Sequence, residues 1–208
     1  MNFSFKFLTL PKRLREEEVV NACTHASSFG SFIVAALFLT FKTMSPWVSA
    51  LYVVPIAFTL LSSVLYHGWI EEEGKKFFRT VDQLSIHFMI AASWTPFLWM
   101  SDQQGLAVAI WILALVAAAF RLVTKEKITR MATVPYVLLA SIGLFGVIGI
   151  VTTFSTLVSI LFVLNLASYL VGTYYYELDE TPWYHSVWHL YVNAGVYFNF
   201  LACYLILT

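Results

Sequence analysis

The chain has 208 residues, of which 60% are hydrophobic, 17% are aromatic and only 12% are charged. This apolar share lies well above that of soluble domains, and apolar stretches of about twenty residues recur along the sequence. The composition therefore excludes a soluble globular protein and predicts an integral membrane protein. The formal net charge is zero, which gives no indication of a nucleic-acid partner.

Apolar windows predict seven transmembrane helices and hence an all-α fold. The windows cover residues 24–41, 48–68, 82–101, 105–123, 132–151, 154–174 and 184–206. A membrane β-barrel requires alternating apolar and polar residues, whereas segments such as IWILALVAAAF are apolar on every side. The polar connections are too short to hold a soluble domain. We therefore interpret residues 1–208 as a single membrane domain with a short cytoplasmic N-terminal segment, about residues 1–23.

The basic residues predict the orientation of these spans. With seven spans, the N-terminal segment and the loops after the second, fourth and sixth spans lie on one side of the membrane. That side carries all 12 Lys and Arg residues except Lys42. Because basic loops remain in the cytoplasm, we expect a cytoplasmic N-terminus and an external C-terminus.

Polar side chains from four predicted helices are expected to converge at the cytoplasmic ends of the spans. They are Glu18, Asn21 and His25 in or before the first span, Ser63 and His67 in the second, Asp82 in the third, and His185 and His189 in the seventh. His185 and His189 are four residues apart, so they share one helical face. Thr181 and Pro182 are expected to begin that helix, as cap and first-turn residue.

Three neutral imidazoles from two helices form a typical ligand set for zinc. A catalytic zinc site has three protein ligands and leaves the fourth position to water, whose pKa falls to about 7. The predicted ligands are His67, His185 and His189. Asp82 is expected to orient the water and accept its proton, although it can also bind a metal directly. This arrangement predicts hydrolysis.

Structural interpretations of the same residues stay open beside the catalytic one. A histidine such as His67 at a membrane interface often satisfies a helix end, and Asp82 complements the dipole of the helix that it begins. His87 faces away from Asp82, which predicts a packing role. Elsewhere, Gly143, Gly146 and Gly149 are spaced by three, which predicts a close contact between helices.

Four segments, EEEVVNACTH, SSVLYH, RTVDQLSIHFMIAASWTP and HSVWH, occur in an order that resembles the hemolysin III family. This family is the bacterial branch of the progestin and adipoQ receptor family, and the resemblance covers about residues 16–207. It implies seven helices around a zinc site near the cytoplasmic face of the bacterial inner membrane. The wider group includes alkaline ceramidases and is regarded as a group of membrane hydrolases.

The resemblance also implies roles for single residues. It implies His67, His185 and His189 as zinc ligands, Asp82 as the carboxylate beside the metal water, and Ser63 as the companion of Asp82. The sequence departs from the family at one position, because Gln83 follows Asp82 where many bacterial members have histidine.

We therefore expect a zinc-dependent hydrolase that acts on a lipid amide or ester entering laterally from the bilayer. The first alternative is a receptor or lipid sensor in which zinc only ties helices together. A pore-forming hemolysin ranks lowest, because the polar residues cluster at the cytoplasmic ends and the outer halves of the spans read as almost wholly apolar. The lipid involved and the oligomeric state do not follow from the sequence.

Overall fold

The computed structural model describes residues 12–124 and 133–208, and no strand occurs within these ranges. The helices are α1 (Lys12–Lys42), α2 (Pro46–Gly68), α3 (Glu72–Met100), α4 (Gln104–Thr124), α5 (Val134–Gly143), α6 (Val147–Thr153), α7 (Thr156–Glu177) and α8 (Tyr184–Leu207). A 3-10 turn at Leu144–Gly146 joins α5 to α6, so that the two form one continuous rod. The fold is all-α, as predicted.

Six of the helices are long and apolar enough to cross a membrane, if the α5–α6 rod is counted as one helix. They are α1 from Leu14, α2, α4, the α5–α6 rod, α7 and α8. Each corresponds to one predicted window, and only residue 132 of those windows lies outside the described ranges. A multi-pass membrane protein is thereby confirmed, whereas the count of seven spans and the orientation stay predictions.

The remaining long helix, α3, contains all but the last residue of the third predicted window and is not among the helices that are apolar enough to cross a membrane. It packs against α2, α4, α5 and α8, so most of its surface contacts protein. Among its large hydrophobic residues, all within the described range, Phe77 alone is strongly exposed, while Ser85, His87, Ser93 and Thr95 are buried. A helix surrounded by other helices does not need a lipid-facing apolar surface, which explains why α3 is not among the six apolar helices.

Glycines permit close helix packing at two contacts. A Cβ atom added to Gly143, Gly146 or Gly149 would lie 2.1–2.4 Å from a side chain of α3 or of the loop that follows it. The predicted contact face on the α5–α6 rod is therefore confirmed. Gly172 and Gly195 have the same function between α7 and α8, where an added Cβ would lie 2.8 Å from an aromatic ring.

The predicted start of the last helix was wrong by two or three residues. Helix α8 begins at Tyr184, and Trp183 before it has a left-handed backbone with φ of 68°. Thr181 lies in the preceding turn, and no side chain caps the helix. Instead, the Trp183 N–H donates a hydrogen bond to Glu17 Oε1 over 3.1 Å, which ties the start of α8 to α1.

One end of the bundle collects the polar residues that the sequence singled out. Helices α1, α3 and α8 begin at this end, and α2 and α7 finish there, as contacts from α1 to Lys75, His67 and Trp183 demonstrate. Lys75 and Glu18 form an ion pair with an N–O distance of 2.8 Å across it. We refer to it as the histidine end, after His67, His185 and His189.

Candidate metal centre

Three histidines from α2 and α8 meet at the histidine end. Ligand nitrogens of His67, His185 and His189 all lie within 4.8 Å of one another, and their ring centroids are 4.8–5.1 Å apart. His67 and His189 are buried, and His185 is half-buried. The structure thus brings together all three predicted ligands, close enough to hold a metal ion.

Glu18 of α1 fixes the orientation of the His67 ring. Its Oε2 atom lies 2.9 Å from His67 Nδ1 and also accepts a hydrogen bond from Lys75 Nζ over 2.8 Å. A carboxylate that accepts the Nδ1 proton leaves Nε2 as an acceptor, which is the usual support for a metal-binding histidine. Among the described residues, His67 Nε2 has no hydrogen-bond partner although it is buried. A metal ion would satisfy this costly unpaired nitrogen.

The same helix supports His189. The main-chain oxygen of Asn21 and the hydroxyl of Thr24 both lie 3.2 Å from His189 Nδ1. The Asn21 side chain accepts a hydrogen bond from the Ser186 hydroxyl over 2.6 Å, which fixes the first turn of α8 against α1. An Nδ1 proton donated to the Asn21 carbonyl again leaves Nε2 free to bind a metal.

His25 packs face to face on His189, with ring centroids 3.8 Å apart and an interplanar angle of 7°. A metal ion bound by a histidine lies in the plane of the imidazole ring. Because the His25 ring is parallel to the His189 ring and stacked above it, a metal in the plane of His189 is outside the plane of His25. This geometry favours His25 as a support for His189 over His25 as a fourth ligand. Both His25 nitrogens are nevertheless buried and have no hydrogen-bond partner among the described residues.

A cavity of about 70 Å³ lies beside the histidines. Ser63 and Asp82, the two predicted catalytic residues, line it together with His185 and His189. This volume accommodates more than one water molecule. The other polar residues in the lining include His25, Thr59, Tyr66, Arg79, Gln83, Tyr176 and Asp179. The structure therefore places the predicted carboxylate and hydroxyl next to two of the predicted ligands in one polar space.

Sequence spacing predicted one part of this environment and missed another. Glu18, Asn21 and His25 were expected to converge with the histidines, and each contacts a histidine or α8 in the structure. Lys75 and Ser186 were missed. Nothing in their spacing distinguishes Lys75 from the neighbouring basic residues, and Ser186 is informative only once Asn21 is known to face it.

His87 lies outside the cluster, as predicted. Its ring packs against Tyr136 with a centroid distance of 4.7 Å, and its Nδ1 lies 3.2 Å from the Leu84 main-chain oxygen. Gln83, at the position where the sequence departs from the family pattern, accepts a hydrogen bond from Arg121 Nη2 over 2.6 Å. This contact joins α3 to α4 beside the cavity.

A protein-family profile described as "Haemolysin-III related" matches residues 14–200. The chain belongs to the haemolysin III family. It is 28% identical over 191 residues to the "Hemolysin-3 homolog" of Bacillus subtilis (strain 168), covering 86% of this chain and 89% of that protein. It is also 28% identical over 193 residues to "Hemolysin-3" of Bacillus cereus, covering 86% and 87%. The resemblance read from the four segments is confirmed, and the matched region contains the whole histidine cluster.

The interior of this haemolysin III family protein is more polar than the sequence indicated. Asn165, Asn199 and Ser93 are buried in the halves of α7, α8 and α3 that are farther from the histidines. Asn199 Nδ2 donates to the Ser93 main-chain oxygen over 3.3 Å and to Asn165 Oδ1 over 3.4 Å. The expectation that the outer halves are almost wholly apolar was therefore wrong, because single asparagines within apolar runs converge only in three dimensions.

Proposed function

We propose that this protein is a zinc-dependent hydrolase that cleaves an amide or ester bond of a membrane lipid. One observation carries the proposal: two of the three converging histidines, His185 and His189, line a cavity that also contains Asp82 and Ser63. Three imidazoles with space for water are typical of catalytic zinc. The donor set and the unpaired Nε2 of His67 fit that ion. His67, His185 and His189 would hold it, and Asp82 would lie beyond the ligands.

The residues of the cavity have distinct roles in this proposal. Zinc, when bound, supplies a Lewis acid that polarises a carbonyl and makes water more acidic. Asp82 accepts a proton from the attacking water and delivers it to the leaving nitrogen or oxygen. The Ser63 hydroxyl donates a hydrogen bond to the carbonyl oxygen as that atom gains negative charge. Glu18 and the Asn21 carbonyl hold the histidine rings in their metal-binding tautomer.

A second cavity supports a lipid as the substrate. It has a volume of about 220 Å³ and a mostly apolar lining from α3, α5, α7 and α8. Helix α5 packs on α3 and α4, whereas α7 packs on α8. The cavity lies between α5 and α7, because residues of both helices line it. The two cavities share the lining residues Ile86, Met89, Tyr176 and Trp188. An acyl chain in the apolar cavity would therefore place its carbonyl group beside the histidines.

The proposed topology places this chemistry at the cytoplasmic face of the plasma membrane, which in a bacterium is the inner membrane. Lys75, Lys76 and Arg121 lie at the histidine end, whereas Lys42 lies at the end of α1 far from it. Because basic residues remain on the cytoplasmic side, the histidine end faces the cytoplasm in this proposal.

The experiment that tests the proposal compares Asp82→Asn with the unaltered protein. Each protein is loaded with zinc, mixed with a total membrane lipid extract in detergent, and assayed for released fatty acids by mass spectrometry. We expect fatty-acid release from the unaltered protein and none above the blank from Asp82→Asn, because an amide accepts no proton at neutral pH. The zinc content of Asp82→Asn should remain close to that of the unaltered protein.

Asp102→Asn is the matched control. Asp102 is exposed in the loop after α3, far from the cavity, and its positive φ of 58° is tolerated by asparagine. It should retain both zinc and fatty-acid release. A zinc-loaded protein that releases no fatty acid from any lipid fraction would favour the non-catalytic receptor or sensor instead. Loss of zinc from Asp82→Asn would assign Asp82 as a ligand.

A further inference from the structure

The apolar cavity between α5 and α7 contains a group of polar residues away from the histidines. Ser93, Asn165 and Asn199 line the half of the cavity that is farther from the histidines, and Tyr169 lies near its middle. Asn165 and Asn199 are each only 1% exposed. The Tyr169 hydroxyl is buried and makes no hydrogen bond of normal geometry among the described residues, although the Ser93 side chain lies near it. This group of four residues, the intramembrane polar cluster, is distinct from the residues assigned to metal binding and catalysis.

Helix packing alone does not account for the intramembrane polar cluster. The two hydrogen bonds of Asn199 measure 3.3 and 3.4 Å, longer than the usual range for an amide donor. The Tyr169 ring packs against Gly195, where an added Cβ would lie 2.8 Å from it, and a phenylalanine ring would fit equally well. Inside a bilayer no bulk water is present to satisfy the additional hydroxyl, so an unpaired one is costly.

The position of Tyr169 along the cavity defines where a ligand would meet it. On α7 the lining residues run from Phe162 to Tyr176, fourteen positions or about 21 Å of helix. Tyr176 also lines the histidine cavity, and Tyr169 is seven residues from it, which corresponds to about 10 Å. A chain whose carbonyl group lies at the histidines therefore passes Tyr169 near its middle.

We propose that this cavity selects an acyl chain that carries a hydroxyl group near its middle. The chain hydroxyl accepts a hydrogen bond from Tyr169 and donates one to Asn165 Oδ1. Asn199, which also donates to the Ser93 main-chain oxygen, holds Asn165 in place. The inference deepens the proposed function by naming a substrate class, and it rests on that function only for the location of the head group. It adds a specificity determinant about 10 Å from the reacting bond.

The test measures binding in place of turnover. Purified protein in detergent is mixed with equal amounts of stearic acid and 10-hydroxystearic acid, and the bound acid is identified by native mass spectrometry. We expect the hydroxylated acid to be preferred about fivefold, the effect of one net hydrogen bond. A parallel mixture with 2-hydroxystearic acid should show no preference, because its hydroxyl lies next to the head group.

Tyr169→Phe should reduce the preference to about equal binding of both acids while stearic acid still binds. Tyr174→Phe is the matched control on the same helix, since Tyr174 is 61% exposed and lies outside the cavity lining. It should keep the full preference. Asn165→Leu supplies a second variant and should also abolish the preference. The same preference in the unaltered protein and in Tyr169→Phe, or none in the unaltered protein, would overturn the inference.

The outcome is separable from that of the proposed function. In His189→Ala, which lacks a proposed zinc ligand, the preference for 10-hydroxystearic acid should persist. A protein that releases fatty acids but shows no preference would refute the selective cavity alone. A protein that shows the preference but never binds zinc would refute only the hydrolase.

Discussion

The chain reversal between α1 and α2 and the histidine end of the bundle differ in how they satisfy buried polar groups. At the end far from the histidines, the Ser49 hydroxyl donates to Thr43 Oγ1 over 2.7 Å, so short local contacts complete the chain reversal between α1 and α2. At the histidine end, both ring nitrogens of His25 and the Nε2 atom of His67 are buried and have no hydrogen-bond partner within the part of the chain that the structure describes. Buried polar groups are normally paired, so these unpaired histidine nitrogens indicate a ligand site, whereas the Ser49–Thr43 pair indicates structural stabilisation.

Among the variants considered, His189→Ala should have the largest effect on bound zinc. If it had no effect, the comparison between the two regions would not hold. It removes one of three proposed ligands, and a site with two nitrogens binds zinc far more weakly. We expect bound zinc to fall at least about tenfold, measured by inductively coupled plasma mass spectrometry after dialysis against a weak chelator. His87→Ala is the control, because His87 is equally buried but lies outside the cluster, and it should retain zinc. Zinc retained in His189→Ala would mean that this cluster binds no zinc.

Much of the histidine end was predictable because its residues follow helical spacing. His185 and His189 are four apart, and Glu18, Asn21 and His25 recur on one face of α1, so their directions follow once the segments are helical. The apolar windows supplied those helices. The pairing of Glu18 with His67 was not predictable, since it depends on how α1 packs against α2 and not on a pattern within either helix.

Glu18→Gln should give the next largest effect and sharpens the comparison. The amide removes the negative charge that holds the His67 Nδ1 proton, and loss of such a partner typically weakens metal binding about 10- to 100-fold. Zinc affinity is measured by competition with a chromogenic chelator. Glu73→Gln, an exposed glutamate on α3, is the control and should leave the affinity unchanged. An unchanged affinity in Glu18→Gln would show that the contact to His67 is only structural.

The interior of the bundle was less predictable than its ends. Asn165 and Asn199 stand alone in apolar runs, and only the close packing of α7 on α8 at Gly172 and Gly195 brings them together. The start of α8 was misplaced for a similar reason. The left-handed backbone of Trp183 is stabilised by Glu17 of α1, a tertiary contact that overrides the local preference for a Thr-Pro start.

Ser49→Ala should give a smaller effect of a different kind. Losing its hydrogen bond to Thr43 should cost about 1 kcal/mol of stability and lower the midpoint of thermal unfolding, while zinc content stays unchanged. Ser141→Ala, an exposed serine on α5 with a bond only to its own helix, should lower the midpoint less. If Ser49→Ala also lost zinc, the two ends would be coupled and the contrast between them would not hold.

His25→Phe should have the smallest effect on zinc binding. It tests whether the metal site depends on the flat ring of His25 or on its nitrogens. Phenylalanine keeps a flat ring stacked on His189 but removes two buried nitrogens without partners. We therefore expect unchanged zinc affinity and a higher midpoint of thermal unfolding, because unpaired buried polar atoms destabilise the folded state.

His25→Ala completes the comparison, because it removes the stacking surface as well as the nitrogens. The His189 ring then loses its support, so zinc affinity should fall modestly in His25→Ala and not in His25→Phe. The opposite pattern, zinc lost from a folded His25→Phe, would show that a His25 nitrogen binds the metal. One of the two His25 nitrogens would then be the fourth zinc ligand. It would occupy the coordination position that the proposed function gives to water.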